Sequence, residues 1–269
     1  MSISMKKYKL GILGVGNMGG SILNGIVNSS LYKKEEIYLY DTNVIKQDKL
    51  KQQGFILALN EQDLIENVEM AILAVKPQMF DALKQYNYKI NNLVIISIAA
   101  GITINTLKNI FGEQLFIRVM PNTPSLINKG ATAISKDEKV PQDIFEKVKE
   151  IFSAIGVTCA VPDSLMNEII PINGSMPAFI YYFIQSFIEC GTSYGLDYDV
   201  CKVLAAHSII GSCEMILKAE KSIEELIKDV CSPKGVTLEG LKVLDDNHFK
   251  DIIKEVSASC IKRACELSK

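Results

Sequence analysis

The stretch Leu10 to Gly20 reads LGILGVGNMGG. It closes an apolar run, Tyr8 to Leu13, that suits a buried strand, and it opens a segment in which Ile22, Leu23 and Ile26 return at helical spacing. Gly14, Gly16 and Gly19 stand between the two, a GxGxxG at a strand-to-helix junction. Gly14 permits the tight turn, Gly16 lets the main chain approach a pyrophosphate, and Gly19 lets the helix lie close to the strand. Free N–H groups at the helix start then face the phosphates. A second apolar run, Ile37 to Tyr40, ends at Asp41, the distance downstream at which an acid holds a ribose hydroxyl. The alternative is a glycine-rich turn that only packs the helix. Asp41 tips the reading toward a dinucleotide site.

Outward from this stretch, apolar runs and helical patterns alternate. A polar helical segment covers 43–53, Gly54 to Leu59 reads as a short strand, and Asn60 ahead of Glu61, Asp63 and Leu64 reads as a helix start. Val68 to Val75 is a buried strand that Lys76–Pro77 stops, because proline has no N–H for the ladder. A helix begins at Met79 to Leu83. The strand Leu93 to Ile98 opens into the small residues Ala99, Ala100 and Gly101, and Thr103 caps the next helix. Leu115 to Val119 leads into Met120-Pro121-Asn122-Thr123-Pro124, and Ala131 to Ser135 and Val157 to Val161 read as later strands around a helix near 141–154. The alternation predicts an α/β fold over 1–162, a Rossmann-like, mostly parallel sheet with helices on both faces. Its crevice lies beyond the carboxyl ends of the strands, where the turns after Leu13, Tyr40, Val75, Ile98 and Val119 gather.

The pattern changes near Pro162. Ala178–Tyr194, Asp199–Ala219, Ser222–Val230 and Phe249–Leu267 read as helices, several of them apolar on more than one face. The expectation is an all-helical second domain, 163–269, that buries those faces in a partner subunit. Ile169 to Ile188 is free of charge and as long as a membrane span, but it contains Pro171, Asn173, Gly174, Ser175, Pro177 and Gln185. It reads as a buried helix preceded by a polar loop, and no membrane partner is expected.

Bulk properties narrow the function. The chain has 269 residues, 48% of them apolar, enough for one large or two moderate domains. Its 29 basic and 31 acidic side chains leave a net charge of −2, so nucleic acid is not an expected partner. The seven cysteines include no CxxC, and none precedes Cys159, which fits neither a disulfide framework nor a zinc site. They suit a reducing, cytoplasmic compartment, and no metal is expected. The opening MSISMKK lacks the apolar core of a signal peptide.

Two polar breaks interrupt the helical half. Asn173-Gly174-Ser175-Met176-Pro177-Ala178 either presents N–H donors to a small anion or is an ordinary cap with Pro177 near the first helical position. In Ser232-Pro233-Lys234-Gly235-Val236-Thr237, Thr237 either caps the helix from Leu238 on or turns its hydroxyl into a pocket. His207 reads as a core or interface histidine and His248 as an exposed one; neither is a strong catalytic acid. Glu220 and Lys221 read equally as solvated charges or as the rim of a site.

Taken in order, the blocks Ile12–Gly19, Ala74-Val75-Lys76-Pro77-Gln78, Ser97–Gly101, Arg118–Pro124, Asn173–Ala178 and Asp229–Thr237 resemble the pyrroline-5-carboxylate reductases, over about residues 8–267. The resemblance implies a Rossmann domain and a helical domain that interlocks with its twin in a homodimer, sometimes within larger rings, with active sites between a nucleotide domain and the helices of the dimer. It implies that Leu13, Gly14, Val15, Gly16, Asn17, Met18 and Gly19 hold a dinucleotide together with Asp41, Ala74, Val75, Lys76 and Pro77. Ala99 and Asn122 belong to the same set, and Asn60 stands near the adenosine end. Ser175, Pro177, Ser232, Lys234 and Gly235 would bind the ring carboxylate, with Glu220 near the site. Thr237 matches the threonine linked to protonation or to orientation of the ring nitrogen. The family usually has serine-glycine-serine-glycine before Pro-Ala, where this chain has Asn173 and Met176. It usually has two glycines before the last threonine, where this chain has Lys234 and Val236.

The implied reaction is hydride transfer from NADH or NADPH to C5 of 1-pyrroline-5-carboxylate, the last step of proline biosynthesis. The cofactor does the hard chemistry and the protein sets distance and face. A protonated imine needs no strong protein acid. Asp41 favours NADH, because a carboxylate repels a 2′-phosphate, and Lys46 and Lys49 offset part of that repulsion. The alternatives are a reductase of the same architecture acting on another cyclic imine or a small oxo acid, and a non-catalytic dinucleotide-binding protein.

Overall fold

The computed structural model describes residues 6–267. Met1 to Met5, and with them most of the MSISMKK segment, lie outside the described residues. The first part of the chain runs β1 (Tyr8–Leu13), α1 (Asn17–Asn28), β2 (Ile37–Tyr40), α2 (Val44–Gln52), β3 (Ile56–Leu57), α3 (Glu61–Asn67) and β4 (Val68–Leu73). It continues with α4 (Phe80–Leu83), β5 (Val94–Ser97), α5 (Ile104–Phe111), β6 (Leu115–Met120), β7 (Gly130–Lys136), α6 (Gln142–Ser153) and β8 (Gly156–Ala160). The eight strands form one sheet in the order β3-β2-β1-β4-β5-β6-β7-β8.

Side chains alternate across this sheet and feed two cores. Leu10, Ile12, Ile72, Ile96 and Ile117 pack with Ile22 and Ile26 of α1 and with Val148 and Phe152 of α6. Ala71, Leu73, Ile95 and Phe116 pack on the other face with Leu64 of α3, Phe80 of α4 and Leu107 of α5. Burial of each large apolar side chain contributes about 1.5–3 kcal/mol, and burial on both faces explains why these strands read as continuous apolar runs. Asn60 and Thr103 cap α3 and α5 by accepting the Asp63 and Thr106 N–H groups.

Parallel register sets the site. Leu13 pairs with Tyr40 and with Leu73, Leu73 with Ser97, and Ser97 with Arg118. The carboxyl ends of β2, β1, β4, β5 and β6 therefore form one edge. The chain moves outward on one side of β1 and then crosses to β4 on the other, so the crevice opens between β1 and β4. One strand departs from the parallel pattern: β7 runs antiparallel to β6. Only residues 121–129 join them, and they hold the 3-10 turn Thr123–Ile127. A parallel crossover needs a dozen or more residues.

The rest of the chain is helical: α7 (Met176–Ser193), α8 (Tyr198–Lys218), α9 (Ile223–Val230), α10 (Val236–Asp246) and α11 (Phe249–Leu267). The compact units divide after Ser175, and the tail of α11 from Cys260 on belongs with the first. The compositional boundary at 162/163 therefore falls inside the first unit. Two contacts explain this. Arg118, buried on β6, donates to Asp163 Oδ1 at 2.9 Å, and Met166 and Ile170 share a core cluster with Met120, Ala133 and Ala264.

The second unit, Met176 to Ser259, is described by itself. α7 and α8 pack on each other. The expectation of a buried helix over 169–188 needs correcting for the single chain: Tyr181, Tyr182 and Phe187 of α7 are exposed. α8 is long and apolar enough to cross a membrane by length and composition alone. It carries Asp199, Lys202, His207 and Glu214 along its length, and Leu204, Met215 and Leu217 are exposed on it.

Candidate functional site

The glycine-rich loop is held by main-chain geometry. Gly14 donates its N–H to Tyr40 O at 2.7 Å and has φ +90°, a conformation that favours glycine, and an added Cβ would lie 2.7 Å from Ala74 O. A Cβ on Gly19 would lie 2.0 Å from Gly14 O, so this glycine sets the approach of α1 to the strand ends. Gly16 is different. It is the N-cap of α1 in ordinary extended geometry, φ −75°, and an added Cβ would meet no atom within 4 Å. Among the described residues, no side chain caps this helix start. Orphan N–H groups and the positive end of the helix dipole therefore border an open cradle that a side chain would fill, which fits a pyrophosphate. Asn17 opens α1, while Val15 and Met18 pack on the core beneath it.

Asp41 is buried at the end of β2 and braces the loop. Its Oδ2 accepts the Val15 N–H at 2.8 Å and its Oδ1 accepts the Asn43 N–H at 2.9 Å. Lys46 Nζ stands 3.7 Å from Oδ2. Each carboxylate oxygen keeps a second lone-pair site for a hydroxyl. Beside the loop lies a cavity of about 280 Å³ bounded by Gly14, Gly16, Asp41, Val75 and Lys76, with Leu13 and Ala74 also lining it. Pro77 starts the 3-10 turn that leaves this edge.

The lining of this cavity also includes side chains that the sequence reading does not assign to the site, among them Tyr40, Glu61 and Tyr86. Tyr86 donates its hydroxyl to Glu61 Oε2 at 3.0 Å. Burial and the Glu61 carboxylate push both phenols above their ordinary range, so both remain donors at neutral pH. Asn60, expected near the adenosine, caps α3 with its side chain, and it is the adjacent Glu61 that lines the cavity. Ala99 and Asn122 lie at the ends of β5 and β6. Ala99 is buried, and Asn122 accepts the Ala131 N–H through Oδ1 at 2.9 Å.

Ser175 closes the turn before α7 by donating its N–H to Ile170 O at 2.9 Å. Pro177, the second residue of α7, is buried. In the helical unit, Ser232 to Gly235 form a tight turn in which the Gly235 N–H reaches Ser232 O at 2.9 Å. Lys234 is exposed there at φ +59°, a left-handed conformation that costs a non-glycine residue about 1–2 kcal/mol. Gly235 is the N-cap of α10, so Thr237 is the second residue of that helix and not its cap. Glu220 is exposed beyond α8, and neighbouring Lys221 pairs with Asp229 at 2.6 Å. His207 is exposed on α8, which removes the core reading and leaves the interface one, and His248 is exposed as expected. Among the described residues, no cluster of His, Cys, Asp and Glu could hold a metal.

A mostly parallel sheet with its crevice at the β1/β4 switch, an open phosphate cradle and an acid closing β2 define a Rossmann-type dinucleotide-binding oxidoreductase. The comparisons narrow this. Residues 163–267 match the family model for pyrroline-5-carboxylate reductase dimerisation, and residues 9–101 match that for NADP oxidoreductase, coenzyme F420-dependent. The chain is 32% identical to a pyrroline-5-carboxylate reductase of Synechocystis over 263 residues, covering 97% of this chain and 98% of the relative. It is 30% identical to the Escherichia coli enzyme over 265 residues, 97% and 98% of the two chains. The crystal structure of a Plasmodium falciparum pyrroline carboxylate reductase with NADP bound superposes with a TM-score of 0.87 at 28% identity, covering 99% of this chain and all of that one. The chain belongs to the pyrroline-5-carboxylate reductase family.

Proposed function

We propose that this protein reduces 1-pyrroline-5-carboxylate to L-proline in the cytoplasm, as a homodimer and with NADH as preferred donor. The observation that carries the reading is the near-complete span of the match: the reductase relatives cover 97% of the chain, from the glycine loop through the Ser232–Thr237 turn. The nicotinamide, when bound, supplies hydride to C5 of the ring. The chain's residues do the rest. The first-turn N–H groups of α1 hold the pyrophosphate above Gly16, and Asp41 accepts a ribose hydroxyl. Ser175, Ser232, Lys234 and Gly235 hold the ring carboxylate, with Lys234 supplying charge. Thr237 orients the ring nitrogen by hydrogen bonding. The nitrogen enters as the protonated imine and keeps that proton as the neutral amine N–H once hydride reaches C5. The second proton of the product ammonium comes from solvent, so the hydride step needs no side-chain acid.

The lining of the cavity supports the reading of NADH as preferred donor. Asp41 and Glu61 face it against Lys76, so a 2′-phosphate would meet two carboxylates. Each close like-charge contact costs about 1–4 kcal/mol near a protein surface, and Lys46, already beside Asp41, offsets part of it. The dimer reading rests on exposed apolar residues of the helical unit, among them Tyr194, Leu217 and Val236. Seven free thiols support a reducing compartment. Oxidation of NADH and NADPH by the purified protein with 1-pyrroline-5-carboxylate tests the reading. Saturable turnover with a higher kcat/KM for NADH is expected. Retained NADH binding without turnover would overturn it. Met176 and Lys234, which depart from the usual glycines, favour one second reading, reduction of a different cyclic imine acid; preferential turnover of a larger ring would establish it.

A further inference from the structure

Asn173 is 7% exposed in the turn ahead of α7. Buried amides are hydrogen-bonded, and this one donates from Nδ2 to Met120 O, the last residue of β6, at 2.5 Å. A second bond runs the other way: Asn122 Nδ2 donates to the main-chain oxygen of Asn173 at 3.4 Å. The turn is closed internally by the Asn173 N–H on Ile169 O and the Ser175 N–H on Ile170 O, both at 2.9 Å. Gly174 lies over the Met120 side chain, where an added Cβ would be 3.6 Å from the sulfur. Ser175 is therefore two residues from an anchor on the carboxyl end of β6, the same sheet edge that carries the glycine loop.

The anchor depends on amide chemistry. A serine hydroxyl, attached directly to Cβ, is one carbon shorter than the asparagine nitrogen and would not span the same gap to Met120 O. We propose that Asn173 is a positioning residue for the imine: it fixes Ser175 at the sheet edge through the Met120 carbonyl and Asn122, without touching the substrate. The inference rests on the reading of Ser175 as a substrate-binding residue. Displacing such a group by about 1 Å costs up to roughly 100-fold in reaction efficiency.

The test uses the full chain with Asn173→Ala, Asn173→Asp and Ser175→Ala. It reads kcat and KM for 1-pyrroline-5-carboxylate, and NADH affinity by nucleotide fluorescence. Asn173→Ala is expected to raise the imine KM by about 10- to 100-fold while NADH affinity stays within about twofold. Asn173→Asp keeps the shape but donates only when protonated, so its KM relative to the parent should fall as pH is lowered. Should the alanine variant fail to fold, this pH-dependent ratio decides. An unchanged imine KM in Asn173→Ala, a loss of NADH affinity in step with KM, or a pH-independent ratio in Asn173→Asp would overturn the positioning role. Ser175→Ala separates the two levels. A raised KM there with none in Asn173→Ala removes the positioning role alone; an unchanged KM in Ser175→Ala removes the reading beneath it.

Discussion

Replacement of Gly16 by alanine separates binding from folding in the glycine loop. The φ of −75° suits any residue, and the new methyl meets no protein atom within 4 Å. The fold therefore has nothing to relieve, and the thermal midpoint should stay within about 1–2 °C of the parent, the range of a neutral surface change. The methyl instead occupies the cradle above the α1 N-terminus and holds a phosphate oxygen away from the N–H groups. Hydrogen bonds to a charged partner contribute about 1.5–3 kcal/mol each, so the loss of one weakens dinucleotide binding by about 10- to 150-fold. Gly19→Ala should behave in the opposite order. Its methyl would stand 2.0 Å from Gly14 O, a main-chain atom that cannot move without opening the loop. Overpacking of this kind costs about 1–3 kcal/mol or more, visible as a lowered midpoint before any ligand is added. Calorimetric titration with NADH and thermal unfolding of both variants provide the assay. Unchanged NADH affinity in Gly16→Ala, or an unchanged midpoint in Gly19→Ala, would refute the assignment of the cradle.

Other perturbations have equally definite outcomes. Lys234→Gly removes a left-handed lysine, so stability should hold or rise by up to about 1 kcal/mol while the imine KM rises; an unchanged KM would show that the cation does not serve the carboxylate. Among the described residues, Asp163→Ala leaves the buried Arg118 guanidinium bonded to Asn167 Oδ1 at 3.4 Å and to the residue-163 main-chain oxygen at 3.5 Å. It should cost about 3–5 kcal/mol in chemical denaturation, more than the apolar replacement Arg118→Met. Asp137 lies below its ordinary value of 3.8: burial pushes the carboxyl up, but the Lys108 ammonium, the Lys139 N–H and both lysine charges together outweigh it. A depressed carboxyl stabilises the fold above about pH 4 and loses that contribution as pH falls through the folded-state value. Asp137→Asn should therefore be less stable at neutral pH and lose less on acidification, measured as the thermal midpoint against pH.

Contiguous features were legible in the chain. The glycine loop, the caps Asn60 and Thr103, and the strands β1, β2 and β6 depend on neighbours a few residues away, and periodicity or turn chemistry encodes them directly. Asp41 was legible by position, but its engagement by the Val15 and Asn43 N–H groups was not, because main-chain donors leave no mark in side-chain identity. Glu61 and Tyr86 are 25 residues apart and meet only when α3 and the segment after α4 reach the same edge. Asn173 and Met120 are separated by 53 residues, and only the departure from the usual serine drew notice to Asn173. The antiparallel direction of β7 was not read from the sequence; its cause, a link after β6 too short for a crossover helix, shows only once both strand ends are placed. Composition alone did not distinguish burial of α7 within its own chain from burial against a partner subunit, because both give the same apolar helix; in the single chain Tyr181, Tyr182 and Phe187 are exposed.

The most direct test of the central claim is the product formed from 1-pyrroline-5-carboxylate and NADH deuterated at the transferring position of the nicotinamide. L-proline carrying one deuterium at C5 is the predicted result. Stoichiometric NADH binding with no proline formed, or proline without deuterium at C5, would contradict it.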